Sequence, residues 1–364
     1  MARTKDEYFM NLCLQLARRG RGFVSPNPLV GAVLVKDGEI VGRGFHPSFG
    51  APHAEVFAIK EAGERARGST LYVNLEPCCH YGKTPPCTKA IIEAGIKRVV
   101  IAMVDPNPIV NGKGIEELRG KGIEVEVGVL EEKARKLNEA YVKFITRGVP
   151  FVTLKMAQSL DGKIATRSGE SKWITGERAR RFVHRLRVEN DAVLVGANTV
   201  ILDDPSLTAH RMGRDPKRIV LDGKGRVSPD ARVFNPGVER LLFTTSLAPV
   251  QWREEIEKRG VEVIVSEGEE VSLEELLREL GKRGIASLLV EGGGETAWRF
   301  IKEGAVDKLL FFLAPIVIGG REAKTSVEGE GCQNLQSAIK LNYTKIRKIG
   351  EDILIEAYPK CSQE

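Results

Sequence analysis

Apolar positions in the first part of the chain recur at two alternating spacings. Tyr8, Phe9, Leu12, Cys13, Leu16 and Ala17 fall three and four apart, which predicts a helix over residues 5–19. Two strand-like runs follow, Leu29–Val35 and Ile40–Phe45, separated by Asp37-Gly38, the signal of a tight hairpin. The pattern then predicts a helix over about Pro52–Arg67, a strand over Thr70–Asn74 and a loop rich in Pro and Cys. A helix near Thr88–Ala94 and a strand over Arg98–Met103 come next. Helix Ile115–Gly120, strand Ile123–Val127 and one charged helix over 131–147 complete an alternating α/β unit. Gly148-Val149-Pro150 is stop punctuation after that helix, so the first domain is placed at 1–147 and the second at 148–364.

The second part opens on an alternating strand, Phe151–Ala157. Apolar runs recur at Ala192–Val195, Arg218–Leu221, Arg240–Thr244, Val261–Val265, Ser287–Val290 and Lys308–Ile318. Helical stretches lie between several of them, at Glu177–Glu189, Leu273–Lys282 and Thr296–Glu303. Strands alternating with helices predict a second α/β domain built on a mainly parallel sheet.

Composition narrows the class. A chain of 364 residues has room for two domains, and 42% hydrophobic residues exclude a disordered chain. The longest apolar run, Leu309–Ile318, contains Pro315 and falls short of a membrane span. The first residues carry no signal-peptide core, and six cysteines are too sparse for a disulfide scaffold. The expectation is a soluble cytoplasmic protein. The formal net charge is +6, but 55 Lys and Arg are interspersed with 49 Asp and Glu, and the aromatics (6%) are unclustered. That describes a solvated surface rather than a nucleic-acid face, with phosphorylated small molecules as the expected anionic partners.

Two constellations carry chemistry. The first is His53-Ala54-Glu55 with Pro77-Cys78 and Pro86-Cys87. One imidazole and two thiolates suit Zn²⁺ and leave a fourth tetrahedral position for water, which Glu55 can reach as a proton carrier. Zinc nucleobase deaminases bear H-x-E…P-C-x-x-C, whereas eight residues separate Cys78 from Cys87 here. Cys79 is an alternative to Cys78, and a closed structural site would need a fourth protein ligand. Cys13, Cys332 and Cys361 are scattered and read as packing or surface residues. The second constellation is a buried strand, Leu288–Val290, running into Gly292-Gly293-Gly294 and then a helix, where backbone N–H groups can close on a phosphate. Val193–Thr199 followed by Leu202–Pro205 is a similar strand end, and Lys155 in mid-strand implies a pocket.

Several segments together closely resemble the bifunctional riboflavin-biosynthesis deaminase/reductase family. In the first half these are Ser25–Val33, His53–Val56, Glu76–Cys87 and Asp105-Pro106-Asn107-Pro108. In the second half they are Lys155–Ala165, Ser168–Thr175, Gly196–Thr208 and Val290–Thr296. The resemblance implies a cytidine-deaminase-like α/β/α domain followed by a dihydrofolate-reductase-like α/β domain. It implies Zn²⁺ on His53, Cys78 and Cys87, proton transfer by Glu55, and substrate contacts from Asn27, His80, Lys83 and Thr84. Cys79 stands where the family commonly has Ser. NADPH would be held by Ala157, Trp173, Thr199, Asp203 and the segment Gly293, Gly294, Glu295, Thr296, Ala297, Trp298 and Arg299, joined by Thr244 or Thr245. Lys155, Ser171, Leu207 and Glu291 would face the reductase substrate. Where the family often has Arg, this chain has His210 followed by Arg211, and one of the two would hold the phosphate.

The activities implied are deamination of a diaminopyrimidinone ribosyl phosphate and then reduction of its ribosyl group to ribityl. The partner implied is that small phosphorylated pyrimidine, with no nucleic acid or membrane, in a homo-oligomer, dimer or tetramer. A deaminase of tRNA or nucleoside bases with a C-terminal binding domain is the alternative.

Overall fold

The computed structural model describes residues 2–82 and 84–360, so Lys83 and Cys361 lie outside the described residues. The chain divides into two compact units, and the division falls between Gly148 and Val149.

The first unit is built on a five-stranded sheet. Its strands are β1 (Gly31–Lys36), β2 (Glu39–Phe45), β3 (Thr70–Val73), β4 (Arg98–Ile101) and β5 (Glu124–Val127), in the order β2-β1-β3-β4-β5. The β1–β2 hairpin turns at Asp37-Gly38, β1 pairs antiparallel with β3, and β3, β4 and β5 run parallel. Helix α1 (Ala2–Ala17) packs on β1 and β3, and α2 (Ala54–Ala62) packs on β1 and β2. α2 sits so close to β2 that a Cβ at Gly44 would lie 2.0 Å from the Ala54 carbonyl oxygen. This close approach fixes the helix start that carries His53 and Glu55. Helices α3 (Cys87–Glu93), α4 (Lys113–Gly120), α5 (Glu131–Leu137) and α6 (Glu139–Arg147) complete the unit around a core that includes Met10, Leu34, Leu71, Ile91, Ile101 and Leu118.

The second unit has a nine-stranded sheet in the order β10-β9-β8-β7-β11-β6-β12-β14-β13. The strands are β6 (Phe151–Ser159), β7 (Ala192–Gly196), β8 (Lys217–Leu221), β9 (Arg240–Thr245), β10 (Glu262–Ser266), β11 (Ser287–Val290), β12 (Lys308–Ala314), β13 (Leu341–Ile349) and β14 (Asp352–Pro359). Strands β10 through β12 in that order are all parallel, and β14 and β13 add an antiparallel edge. The helices are α7 (Glu177–Glu189), α8 (Ala197–Asp203), α9 (Val250–Lys258), α10 (Leu273–Lys282) and α11 (Gly294–Lys302). Central strands such as β7 and β11 are buried along their whole length, as a parallel sheet covered on both faces requires.

The elements differ from the sequence expectation in four places. The single helix over 131–147 is two, because Asn138 leaves the helix and spends its amide on Leu29: Oδ1 accepts the Leu29 N–H at 2.8 Å and Nδ2 donates to the Leu29 carbonyl at 3.1 Å. The helix over 52–67 is α2 followed by a 3-10 turn, Gly63–Ala66. The strand over 308–318 stops at Ala314, because Pro315 has no N–H to give a neighbouring strand. Strands β13 and β14, with α8 and α9, add elements that the apolar runs did not reveal.

Candidate active sites

In the first unit, the two helix starts and one loop bring three sulfur and nitrogen donors together. His53 is the residue before α2, Cys87 is the first residue of α3, and Cys78 lies in the loop after β3. His53 Nδ1 is 3.2 Å from Cys87 Sγ and 3.5 Å from Cys78 Sγ, and the three donor atoms lie within 4.8 Å of one another. A tetrahedral zinc with its usual bond lengths holds nitrogen and sulfur ligands about 3.5 Å apart, so the group fits that ion as it stands. Cys78 is lowered to about 4, because the Cys87 thiol, the Cys87 N–H and His53 favour its thiolate against the opposing effect of burial. Its negative charge and burial together push Cys87 up, and the hydrogen bond to Cys78 raises His53.

Glu55, in the first turn of α2, is buried, and its Oε2 has no hydrogen-bond partner. Burial raises its carboxyl above the ordinary range, with His53 opposing. A carboxyl in this state can take a proton and give it back.

A cavity of about 270 Å³ opens beside this group, lined by Asn27, His53, Glu55, Cys78, His80 and Thr84 among others. Four residues with no assigned role share the wall: His46, Asp105, Asn107 and Tyr141. His46 Nδ1 is 3.1 Å from the Pro52 carbonyl, which can only accept, so that nitrogen carries the proton. Nε2 then accepts from Asn27 Nδ2 at 3.1 Å, which fixes the Asn27 amide and leaves its Oδ1 as the acceptor end. His80 Nδ1 is buried without a partner.

Cys79 stands outside the donor group, and burial raises its thiol. Cys79→Ser is therefore expected to keep one zinc per chain. Cys87→Ser should weaken zinc binding beyond the roughly 10–100-fold that an outer-shell change costs. Metal titration of both variants checks this, and loss of zinc from Cys79→Ser would instead indicate a four-ligand site.

In the second unit a cavity of about 1180 Å³ lies at the carboxyl ends of β6, β7 and β11, where ligands of open α/β sheets bind. Two close approaches shape it. A Cβ at Gly292 would lie 2.5 Å from Thr296 Cβ, and one at Gly196 would lie 2.4 Å from Thr296 Oγ1. Only glycines let α11 come down onto these strand ends. Ala157, Thr199, Asp203, Gly293, Gly294 and Glu295 line the cavity, as do Thr296, Trp298 and Arg299. Trp173, 70% exposed as a residue, lines it with the Arg180 guanidinium 4.6 Å above the ring centre. Ser171 lines it as well and donates to Asp203 Oδ1 at 2.6 Å.

The cationic end of the cavity is organised by Glu291. Arg187 grips it with both arms, at 2.7 and 3.1 Å, and Lys155 Nζ lies 3.4 Å away. Burial would raise Glu291, but the two cations hold it down at about 2. Leu207 and His210 line the same end, and the His210 ring stacks on His184 at 4.0 Å. Burial, His210 and Arg187 push His184 down to about 4.

Three residues expected here stand off the cavity lining. Ala297 is buried in the core, Arg211 is exposed, and Thr244 is fully buried with its hydroxyl unpartnered. Thr245, the alternative to Thr244, is also off the lining, and its hydroxyl donates to the Gly223 carbonyl at 2.7 Å. The sequence reading missed Arg187 and His184, for which the Arg-rich α7 offers no distinguishing signal. It also missed His46 and Tyr141, and quoted Asp105 and Asn107 without a role.

The comparisons agree with this division of labour. Residues 3–103 match the cytidine and deoxycytidylate deaminase zinc-binding region, and residues 150–355 match the RibD C-terminal domain. The riboflavin biosynthesis protein RibD of Aquifex aeolicus is 46% identical over 98% of this chain and 99% of its own length. That of Escherichia coli K12 is 40% identical over 96% of this chain and 98% of its own. Among solved structures, the Thermotoga maritima diaminohydroxyphosphoribosylaminopyrimidine deaminase/5-amino-6-(5-phosphoribosylamino)uracil reductase superposes with a TM-score of 0.88 at 42% identity, covering 99% of this chain and 100% of that one. Acinetobacter baumannii RibD gives 0.88 at 39% identity, over 98% and 99% of the two chains. This chain belongs to the RibD family of riboflavin biosynthesis, in which a zinc deaminase and an NADPH-dependent reductase share one polypeptide.

Proposed function

We propose that the first unit deaminates 2,5-diamino-6-ribosylamino-4(3H)-pyrimidinone 5′-phosphate, and that the second reduces the ribosyl group of the product to ribityl. The observation that carries the reading is the unpartnered Glu55 Oε2, buried beside the donors His53, Cys78 and Cys87 at the wall of a cavity. Zinc held by those three residues supplies a Lewis acid and an activated water. Glu55 accepts a proton at its buried carboxylate and returns it to the departing amine. Asn27, fixed by His46, turns an acceptor oxygen toward an N–H of the ring, while His80, Thr84 and Lys83 bind the remaining polar edge or the phosphate.

In the second unit, NADPH supplies the hydride. Gly293, Gly294 and the N-terminus of α11 hold its phosphates, with Thr199, Asp203 and Trp173 alongside. Glu291 and Lys155 orient the sugar hydroxyls. Arg187, held on Glu291 and the Thr208 carbonyl, lines this end of the cavity, where His210 offers a ring N–H to the substrate phosphate.

The chain acts as a cytoplasmic homo-oligomer without nucleic acid. Supporting this are the five unpaired cysteines among the described residues, in keeping with a reducing compartment, and the mixed surface charge. The edge strand β13, which exposes Tyr343 and Ile346, offers an association surface. No described helix is long and apolar enough to cross a membrane.

Supplying the diaminopyrimidinone phosphate with and without NADPH tests the reading. Ammonia is expected in both cases, with NADPH oxidised only after ammonia appears. Oxidation without prior ammonia release would reverse the proposed order, and absence of ammonia would remove the deaminase step.

A further inference from the structure

We propose that Glu76 is a positioning residue of the deaminase site, tying the segment that carries Cys78 to the opposite cavity wall; this rests on the deaminase reading above. Glu76 lies between β3 and Cys78, and its side chain is buried without an ion-pair partner among the described residues. A buried carboxylate in that position must be satisfied by hydrogen bonds. Four backbone N–H groups converge on it. Asp105 and Gly112 donate to Oε2 at 3.1 and 2.9 Å, and Gly114 and Ile115 donate to Oε1 at 2.9 and 3.2 Å.

Three of these donors belong to the start of α4, which has no side-chain cap of its own. Glu76 supplies that cap from a distant part of the chain and places negative charge at the positive end of the helix. The helix start is pressed against the ligand-bearing segment itself, because a Cβ at Gly114 would lie 2.2 Å from the Pro77 carbonyl oxygen. The fourth donor, Asp105, opens the loop whose Asp105, Asn107 and Val110 line the cavity. Asp105 Oδ1 in turn accepts from the Tyr141 hydroxyl at 2.8 Å and from the Asn107 N–H at 2.9 Å. One side chain thus sets the spacing between a metal ligand and the wall facing the substrate. Glu76 borders the cavity, but both of its carboxylate oxygens are taken up by these four N–H groups, so its part in the reaction is exerted through Cys78 and Asp105.

Its chemistry cannot be copied by an amide. A carboxylate offers two acceptor oxygens to two pairs of N–H groups, whereas glutamine turns an NH₂ toward one of those pairs. Glu76→Gln is therefore expected to keep one zinc per chain and to raise the deaminase KM about 10- to 100-fold, as a small misplacement of positioning groups does. The thiolate-to-metal bands of the cobalt-substituted protein should shift, because Cys78 moves. NADPH oxidation on supplied deaminated product should be unchanged. Tyr141→Phe, which touches the wall but not the Cys78 segment, should raise KM and leave the cobalt spectrum as in the wild type.

An unchanged KM or an unchanged cobalt spectrum in Glu76→Gln overturns the proposal. Should that variant fail to fold, Tyr141→Phe decides, and an unaltered KM there overturns it. Absence of ammonia release by the wild type would instead sink the deaminase reading, which separates the two failures.

Discussion

Glu55→Gln is expected to lower ammonia release by about 10²–10⁴-fold, the range spanned by removal of a positioned general acid–base group. Glutamine has nearly the same shape and enters the same buried position in the first turn of α2, so the fold and the His53, Cys78 and Cys87 donors remain. What disappears is a group that can hold a proton between water and amine. Three readouts separate this from general damage: zinc stoichiometry should be unchanged, NADPH oxidation on supplied aminouracil should persist, and ammonia release should collapse. Retained ammonia release would remove Glu55 from the proton path, and lost zinc would make it a structural group.

The second large effect is expected at Glu291→Gln. Among the described residues, Arg187 and Lys155 both form their ion pairs with this carboxylate, and all three are largely buried. Removing one partner of a buried ion group leaves the others uncompensated, at a cost of about 3–5 kcal/mol. NADPH oxidation should fall below detection, because both cations lose the group that aims them, while ammonia release continues.

Stability of this unit can be read separately, since all three tryptophans, Trp173, Trp252 and Trp298, lie in it. The pH dependence has a definite sign. Glu291 titrates at about 2 in the folded unit and near 4.3 when unfolded, so its stabilisation is complete above the unfolded value and drains away as pH falls toward 2. Urea denaturation followed by tryptophan fluorescence should show a wide gap between wild type and variant at pH 7 and a narrower one near pH 3. A gap that does not change with pH would contradict the ion cluster.

The two sites were legible in the sequence to different depths. His53 and Glu55 are two residues apart at the start of one helix, and Cys87 starts another, so local geometry alone turns those groups toward a common point. The glycines before α11 were legible for the same reason. The limits appear at α7, where Arg178, Arg180, Arg181, Arg185 and Arg187 share one helix. Burial of Ala179, Val183 and Val188 turns that helix so that Arg187 reaches Glu291, at a sequence separation of 104 residues. No spacing rule distinguishes Arg187 from its neighbours before that packing is known. Thr244 shows the converse: resemblance places it near the cofactor, whereas β9 is covered on both faces from Leu241 to Thr245 and buries it. The substitution at His210 was visible as a departure, but its stacking on His184 was not.

By itself, the sequence determined the two α/β units, the zinc donors with their carboxylate, and the glycine-rich turn before α11. Each of these depends on groups within a few residues of a helix start or strand end, where backbone geometry dictates direction. The tertiary structure alone decided which charged side chains face inward, how Asn138 breaks a helix to hold Leu29, and that Glu76 gathers four N–H donors from a loop some thirty to forty residues away. Those outcomes come from satisfying buried polar groups across long loops. Local periodicity reports which face of an element is apolar, not which distant donors a buried carboxylate will find.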